Sequence, residues 1–378
     1  MTMQCEVKEM RSSYALTCTG QCLRLIVVCL GCIAFQNMRP VYAADQVVTR
    51  DETLFGKIES LTTEVVRLLP RGSTDAPREI GVADVLMIQF DDEPQGLIEA
   101  KRRLIKKEFV SAIHAVKEIN ENQLKSSSVA IRGEYAYVQA VVSGRIAIKT
   151  AEEIPYALRR VERVIDQFTR SIHYYELLEL AGDLEVALGE FDKAKKFYDK
   201  MIEGPPLMTI RARRLGGNCL AAEGRHLEAI AEFEKLQLEN LTSTGVEQEK
   251  MAACLGQATS LIALSRFDEA VSLVQAMLSR DFPEEVPISS AEELVGKAYS
   301  LLGQSFLEMQ QNQKALIAYL TVDLVYNTKP DIHAESLLQL IKLWAEGGYP
   351  LRAAETREKL VNSYPDSVAA TQLNSPSE

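Results

Sequence analysis

Three patterns of apolar and polar residues divide the chain. From Leu97 to Pro365 apolar residues recur at three- and four-residue spacing, the signature of amphipathic helices. Residues 54–91 instead hold short apolar runs: Phe55-Gly56-Lys57-Ile58, Val65-Val66-Arg67-Leu68-Leu69, Arg78-Glu79-Ile80-Gly81-Val82 and Val85-Leu86-Met87-Ile88-Gln89-Phe90. The turn-rich stretch Arg71-Gly72-Ser73-Thr74-Asp75-Ala76-Pro77 separates the second run from the third. Such runs predict four or five short strands, and so many in so short a stretch predict a small curled barrel over 50–94. The third pattern is an apolar run from Leu23 to Phe35, broken only by Arg24.

That run follows Lys8 and Arg11 and precedes a polar link and Val41-Tyr42-Ala43. A positive lead-in, an apolar centre and small residues at the end make a secretory signal peptide over 1–43, with cleavage expected between Ala43 and Ala44. The run is short of the ~20 residues a spanning helix needs, so the mature chain is expected to lack a membrane span and to be periplasmic or extracellular. Leu30-Gly31-Cys32 is only a partial lipidation signal, with Cys29 where a Leu is wanted.

The helical region repeats itself. Leu178, Ala181 and Gly182 precede Gly189-Glu190-Phe191-Asp192-Lys193-Ala194, Tyr198 and Pro206. The same order returns with Gly217, Gly224-Arg225-His226-Leu227-Glu228-Ala229 and Phe233, and with Ala258, Ser265-Arg266-Phe267-Asp268-Glu269-Ala270 and Val274. It returns again with Gly303, Ala315 and Tyr319, and last with Trp344, Gly348-Tyr349, Ala353, Leu360 and Pro365. This resembles the tetratricopeptide repeat, a helix–turn–helix unit of about 34 residues. The resemblance implies a mainly α fold: a tetratricopeptide α-solenoid of six or seven helix pairs behind the small β-barrel-like module. Clear repeats cover 171–365, and degenerate helical repeats cover 95–170, where Lys107-Glu108-Phe109-Val110-Ser111-Ala112 lacks the Gly. The β module resembles the SH3-like or Sm-like modules that precede repeats in some exported bacterial proteins. Physically, small residues at the crossing, here Gly182 against Ala194, let two helices approach closely. Each pair leaves an apolar face for its neighbour to cover. Longer loops are expected near Asn240–Val246 and Phe282–Ser290, and the polar tail 366–378 is expected to be disordered.

Charge narrows the function. The chain carries 42 basic and 53 acidic residues, a net charge of −11. Removing 1–43 takes away four basic and two acidic residues, leaving −13. An acidic chain argues against nucleic-acid binding, which needs a basic face. Five of the 7 cysteines lie in 1–43, leaving Cys219 and Cys254. Their differing repeat phase predicts free thiols. No phosphate loop, nucleophile elbow or metal motif occurs. His114, His173, His226 and His333 are isolated in sequence, His226 and Trp344 read as core, and Asp91-Asp92-Glu93 reads as a solvated acidic turn. Neither a cofactor nor enzymatic activity is expected.

In such arrays the first helix of each pair lines a concave groove. The repeat phase places Glu176, Glu179 and Asp183 there, then Arg211, Arg214 and Asn218. Leu255, Thr259 and Ile262 follow, then Lys297 and Gln304, then Glu335 and Lys342. A groove that changes sign suits a protein or peptide partner. Arg214 and Asn218, with Lys297 two units on, resemble part of the peptide-carboxylate clamp of this repeat family, without its intervening Asn and last basic residue. Arg214 is read as exposed, so that its truncation is expected to cost little stability. The expected function is a non-enzymatic scaffold or adaptor in the cell envelope. The alternative is an accessory protein whose β module holds the ligand.

Overall fold

The computed structural model describes residues 44–72, 76–148, 150–241, 243–280 and 288–374. The expected signal peptide 1–43, most of the stretch 282–290 where a longer loop is expected, and Ser73-Thr74-Asp75 lie outside the described residues.

Among the described residues five strands come first: β1 (Asp45–Thr49), β2 (Thr53–Leu61), β3 (Val65–Pro70), β4 (Arg78–Gly81) and β5 (Val85–Gln89). They form one antiparallel sheet in the order β4-β3-β2-β1-β5. The expected closed barrel is therefore corrected to an open sheet, because β4 and β5 sit at opposite edges. The expected boundary at residue 50 also moves, since β1 lies N-terminal to it and pairs with both β2 and β5. The sheet has no need to close on itself. Val47, Val66, Leu68, Ile80 and Ile88 on one face are buried in the same core as Leu97, Ala100 and Ala112 of the following helices. Helices supply the cover that the far wall of a barrel would give.

The helices are α1 (Gln95–Ile105), α2 (Phe109–Lys117), α3 (Glu121–Ser126), α4 (Val129–Ala147), α5 (Ile154–Gln167), α6 (Tyr174–Ala187), α7 (Phe191–Met201), α8 (Pro206–Ala222), α9 (His226–Gln237), α10 (Thr244–Ala263), α11 (Phe267–Leu278), α12 (Ile288–Glu308), α13 (Asn312–Leu324), α14 (Pro330–Glu346), α15 (Pro350–Ser363) and α16 (Val368–Asn374). Seven antiparallel pairs result: α1/α2, α4/α5, α6/α7, α8/α9, α10/α11, α12/α13 and α14/α15.

Six of the seven turns carry one residue in the left-handed region. It is Gly at Gly189, Gly224 and Gly348, but Lys107, Ser265 and Gln310 elsewhere, with φ between 58° and 60°. The first pair therefore keeps the repeat phase that its missing Gly had hidden. Ala100, Ala112 and Val116 occupy the places of Gly182, Ala194 and Tyr198 and are equally buried.

The crossing within each pair differs in one respect from expectation. A Cβ on Gly182 would lie 2.2 Å from the Tyr198 ring, so Tyr198, one turn beyond Ala194, is what covers that glycine. Gly217 is covered by Phe233 and Gly303 by Tyr319 in the same register. Phe233 also meets Gly256 of the next pair, so that one ring fills two small-residue notches. Ala194, Ala229 and Ala315 are fully buried beside these rings. Cys219 and Cys254 are free and buried, as the phase predicted. Trp344 is buried, while His226, at the start of α9, is half-buried.

The expected disorder of the tail is corrected for 368–374, which form α16. Ser367 accepts the Ala370 amide through its hydroxyl at 3.1 Å, and Ala369 and Ala370 are buried against the last pair. Residues 375–378 lie outside the described residues.

Candidate functional site

Successive first helices α4, α6, α8 and α10 lie side by side, and their facing charges bond across each gap. Tyr137 on α4 donates its hydroxyl to Glu176 on α6 at 2.7 Å, and Arg145 pairs with Asp183 at 2.9 Å. Arg211 on α8 reaches Glu179 at 3.3 Å and Glu249 on α10 at 2.7 Å. Arg214 meets the other oxygen of Glu249 at 2.5 Å. The result is a ladder of alternating charge along the concave wall.

The ladder begins in a buried cluster that ties the sheet to the array. Lys101 on α1 donates to the Ile88 carbonyl of β5 and pairs with Glu93 at 2.6 Å and Glu134 at 3.3 Å. Glu134 meets His173 Nε2 at 3.0 Å, and the His173 ring stacks on Tyr137 at 3.5 Å between centroids. Burial opposes the charged forms here, but proximity outweighs it. Against the cost of burial, His173 and Lys101 hold the Glu134 carboxyl down at about 2. Against the same cost, Glu134 raises the His173 imidazole to about 9. Glu93 stays raised, because burial there exceeds the pull of Lys101. Glu93 therefore is not part of a solvated turn; only Asp91 and Asp92 remain exposed.

Further along, burial would raise Glu249, yet Arg214 and Arg211 hold it below the carboxylate range. Glu179 is raised, with burial the larger influence and Arg211 the weaker one. Arg211 serves Glu249 at the shorter distance.

Of the residues expected to line the groove, Glu176, Glu179, Asp183, Arg211 and Arg214 are brought together in this ladder. Arg214 is not the exposed side chain expected: it is 16% exposed and its partner Glu249 is 8% exposed. Asn218, Thr259, Lys297, Gln304, Glu335 and Lys342 lie beyond the ladder as exposed side chains. Leu255 and Ile262 are buried instead, because that stretch of α10 packs on its neighbours. Desolvation lowers Lys297, with Glu335 opposing. The groove residues absent from the sequence expectation are Lys101, Glu134, Tyr137, Arg145, His173 and Glu249. His173 is not isolated, and neither is buried His333, which bonds Asp323 at 2.6 Å and the Tyr364 hydroxyl at 2.8 Å.

At its N-terminal end the groove widens into a cavity of about 700 Å³. Leu86, Leu104, Ile105, Phe109 and Val141 give it apolar lining, and Lys107 and the ladder residues Tyr137, Arg145, Glu176 and Glu179 give it polar lining. Glu293 and Lys329, from the far end of the array, complete the lining, so the superhelix curls back toward its own start.

A tetratricopeptide repeat protein from Parabacteroides merdae shares this architecture, with a TM-score of 0.50 at 18% identity over 74% of this chain and 98% of the other. The fold is a tetratricopeptide-type α-solenoid. Two further solved structures are less similar. PilW, described as a widely conserved type IV pilus biogenesis factor, has a TM-score of 0.44 at 15% identity over 62% of this chain and 98% of its own. YrrB, described as having an unusual peptide-binding site, has a TM-score of 0.33 at 17% identity over 57% of this chain and 97% of its own. At such identities the likeness speaks for the fold alone. No family model matches the chain, and no curated protein matches it in sequence. No helix among the described residues is long and apolar enough to cross a membrane.

Proposed function

We propose that this solenoid is a non-enzymatic interaction scaffold that takes a polypeptide partner along its concave groove. We place it outside the cytoplasm, after cleavage at Ala43. One observation carries the reading: the groove's charges fall into two sets. Those of α4 to α10 are largely spent on one another and fix the curvature. Asn218, Thr259, Lys297, Gln304 and Lys342, which the repeat phase assigns to the groove, remain exposed. A curved wall with a braced frame and spaced polar groups suits an extended chain with its own amides and side chains, in the manner of solenoid concave faces. The sheet joins the array through a common core and walls one end of the groove. The cleavage pattern supports the location.

The test is affinity capture with the chain from Ala44 onward as bait, against extract of the source cells. A partner retained by that chain and by Phe55→Ala, but lost by a Lys297→Glu, Gln304→Glu double variant, supports the groove. Loss with Phe55→Ala alone transfers the role to the sheet. Amino-terminal sequencing of protein recovered outside the cytoplasm should begin at Ala44; an intact Met1 or Met10 defeats the export reading.

A further inference from the structure

We infer that the cavity at the N-terminal end of the groove is an anchor pocket for a lysine or arginine side chain of the bound polypeptide. This rests on the groove reading above and adds what the groove selects.

Three features point there. First, the cavity has about 700 Å³ and a lining that mixes apolar and charged side chains. Second, its apolar lining leaves Leu86 and Ile105 47% and 50% exposed, beside half-buried Leu104 and Phe109. Exposed aliphatic residues facing inward ask for an aliphatic cover. Third, most donors of the charged lining are engaged, Lys107 excepted, while some of its acceptors stay open. Lys101 and His173 are engaged by Glu93 and Glu134, Arg145 by Asp183, and Lys329 by Glu293. Glu176 and Glu179 stand one helical turn apart on the face of α6 that lines the cavity. Each directs its described bonds through one carboxylate oxygen, Oε2: Glu176 to Tyr137, with His173 Nδ1 at 3.8 Å, and Glu179 to Arg211. Oε1 of each has no hydrogen-bond partner among the described residues. Burial holds the Glu179 carboxyl above its usual range, which a further cation would relieve.

A lysine or arginine matches both kinds of lining at once. Its methylene stem lies along apolar surface while its head keeps polar partners. An acidic side chain would meet two carboxylates, and a purely aliphatic one would strand their free oxygens in the lining. The net charge of −11 draws basic segments toward the molecule at long range.

The experiment selects from a random library of twelve-residue peptides on the chain from Ala44 onward. A selected peptide is then resynthesised with norleucine at its basic position. Three results are expected. Selected peptides share a Lys or Arg at one position, flanked by apolar residues. Norleucine weakens binding about tenfold or more, as expected for a hydrogen bond to a charged group. Glu179→Gln and Glu176→Gln each weaken the basic peptide and leave the norleucine peptide unchanged. The variants' melting curves verify folding, since glutamine keeps an acceptor for Arg211 and for Tyr137. Peptides selected without a basic preference, or basic peptides indifferent to both substitutions, overturn the anchor while leaving the groove reading intact. Failure to select any peptide overturns the groove reading and the anchor together.

Discussion

Gly216 and Gly217 are adjacent in α8, and the same substitution should act on them with opposite sign. Glycine in a helix interior is less favourable than alanine by about 1 kcal/mol. A Cβ on Gly216 meets nothing within 4 Å, so Gly216→Ala should realise that gain and stabilise by about 0.5–1 kcal/mol. A Cβ on Gly217 would sit 2.7 Å from the Phe233 ring. The ring cannot retreat freely, because Gly256 of the next pair also crowds its Cε1–Cζ edge, with a would-be Cβ at 2.7 Å. Overpacking of this kind costs about 1–3 kcal/mol. Set against the same helix gain, Gly217→Ala should come out destabilising by up to about 2 kcal/mol. The two variants should thus differ by about 1–3 kcal/mol. Urea denaturation followed by circular dichroism measures both. If the array melts in more than one step, as solenoids can, amide exchange in α8 and α9 gives the local values. Equal effects at the two positions would mean that Phe233 is not clasped between the pairs, and the packing phase would be wrong.

Arg214→Ala should cost about 1–3 kcal/mol, because it leaves the largely buried Glu249 with Arg211 alone; denaturation within about 0.5 kcal/mol of the parent would contradict the ladder. Stability should depend on pH through His173 and Glu134. The raised His173 contributes fully below its unfolded value of 6.5 and loses that contribution as pH rises toward about 9. The lowered Glu134 contributes above 4.5 and loses its contribution as pH falls toward about 2. The pair is therefore worth most between pH 4.5 and 6.5, by at most about 3 kcal/mol. His173→Gln should flatten the alkaline limb of a stability–pH profile, and an unchanged limb would refute the pairing. Cys219 and Cys254, buried with thiols pushed up to about 11 by burial, should resist a thiol reagent in the native state and react on unfolding. Ala194→Leu should destabilise by about 1–3 kcal/mol, since Ala194 is fully buried beside the Tyr198 ring.

The helix pairs were legible in the sequence because steric rules fix them locally. A small residue, an alanine twelve positions on and an aromatic four beyond that recur in register at Gly182, Gly217 and Gly303. The first pair was obscured because Lys107 adopts a conformation normally left to glycine. The open sheet was misread because closure depends on what covers its apolar face, and α1 and α2 do so from outside the strand pattern. For the site, repeat phase grouped Glu176, Glu179, Asp183, Arg211 and Arg214, which share one ladder of bonds. It could not show that they bond to one another, since those bonds join residues 32 to 39 positions apart. Glu134, Tyr137 and Arg145 share a face of α4 by helical spacing, a signal that the irregular repeat masked. His173 lies outside any helix periodicity, as the residue just before α6, and nothing in the sequence pointed to it.

The most direct test of a polypeptide in the groove is photo-crosslinking from single positions. A photoreactive phenylalanine analogue replaces Gln304, assigned to the groove by repeat phase, or Leu351, which is 79% exposed at the start of α15. With the partner present, the account predicts a crosslinked product from position 304 and none from position 351. Crosslinking from 351 without any from 304 would contradict it.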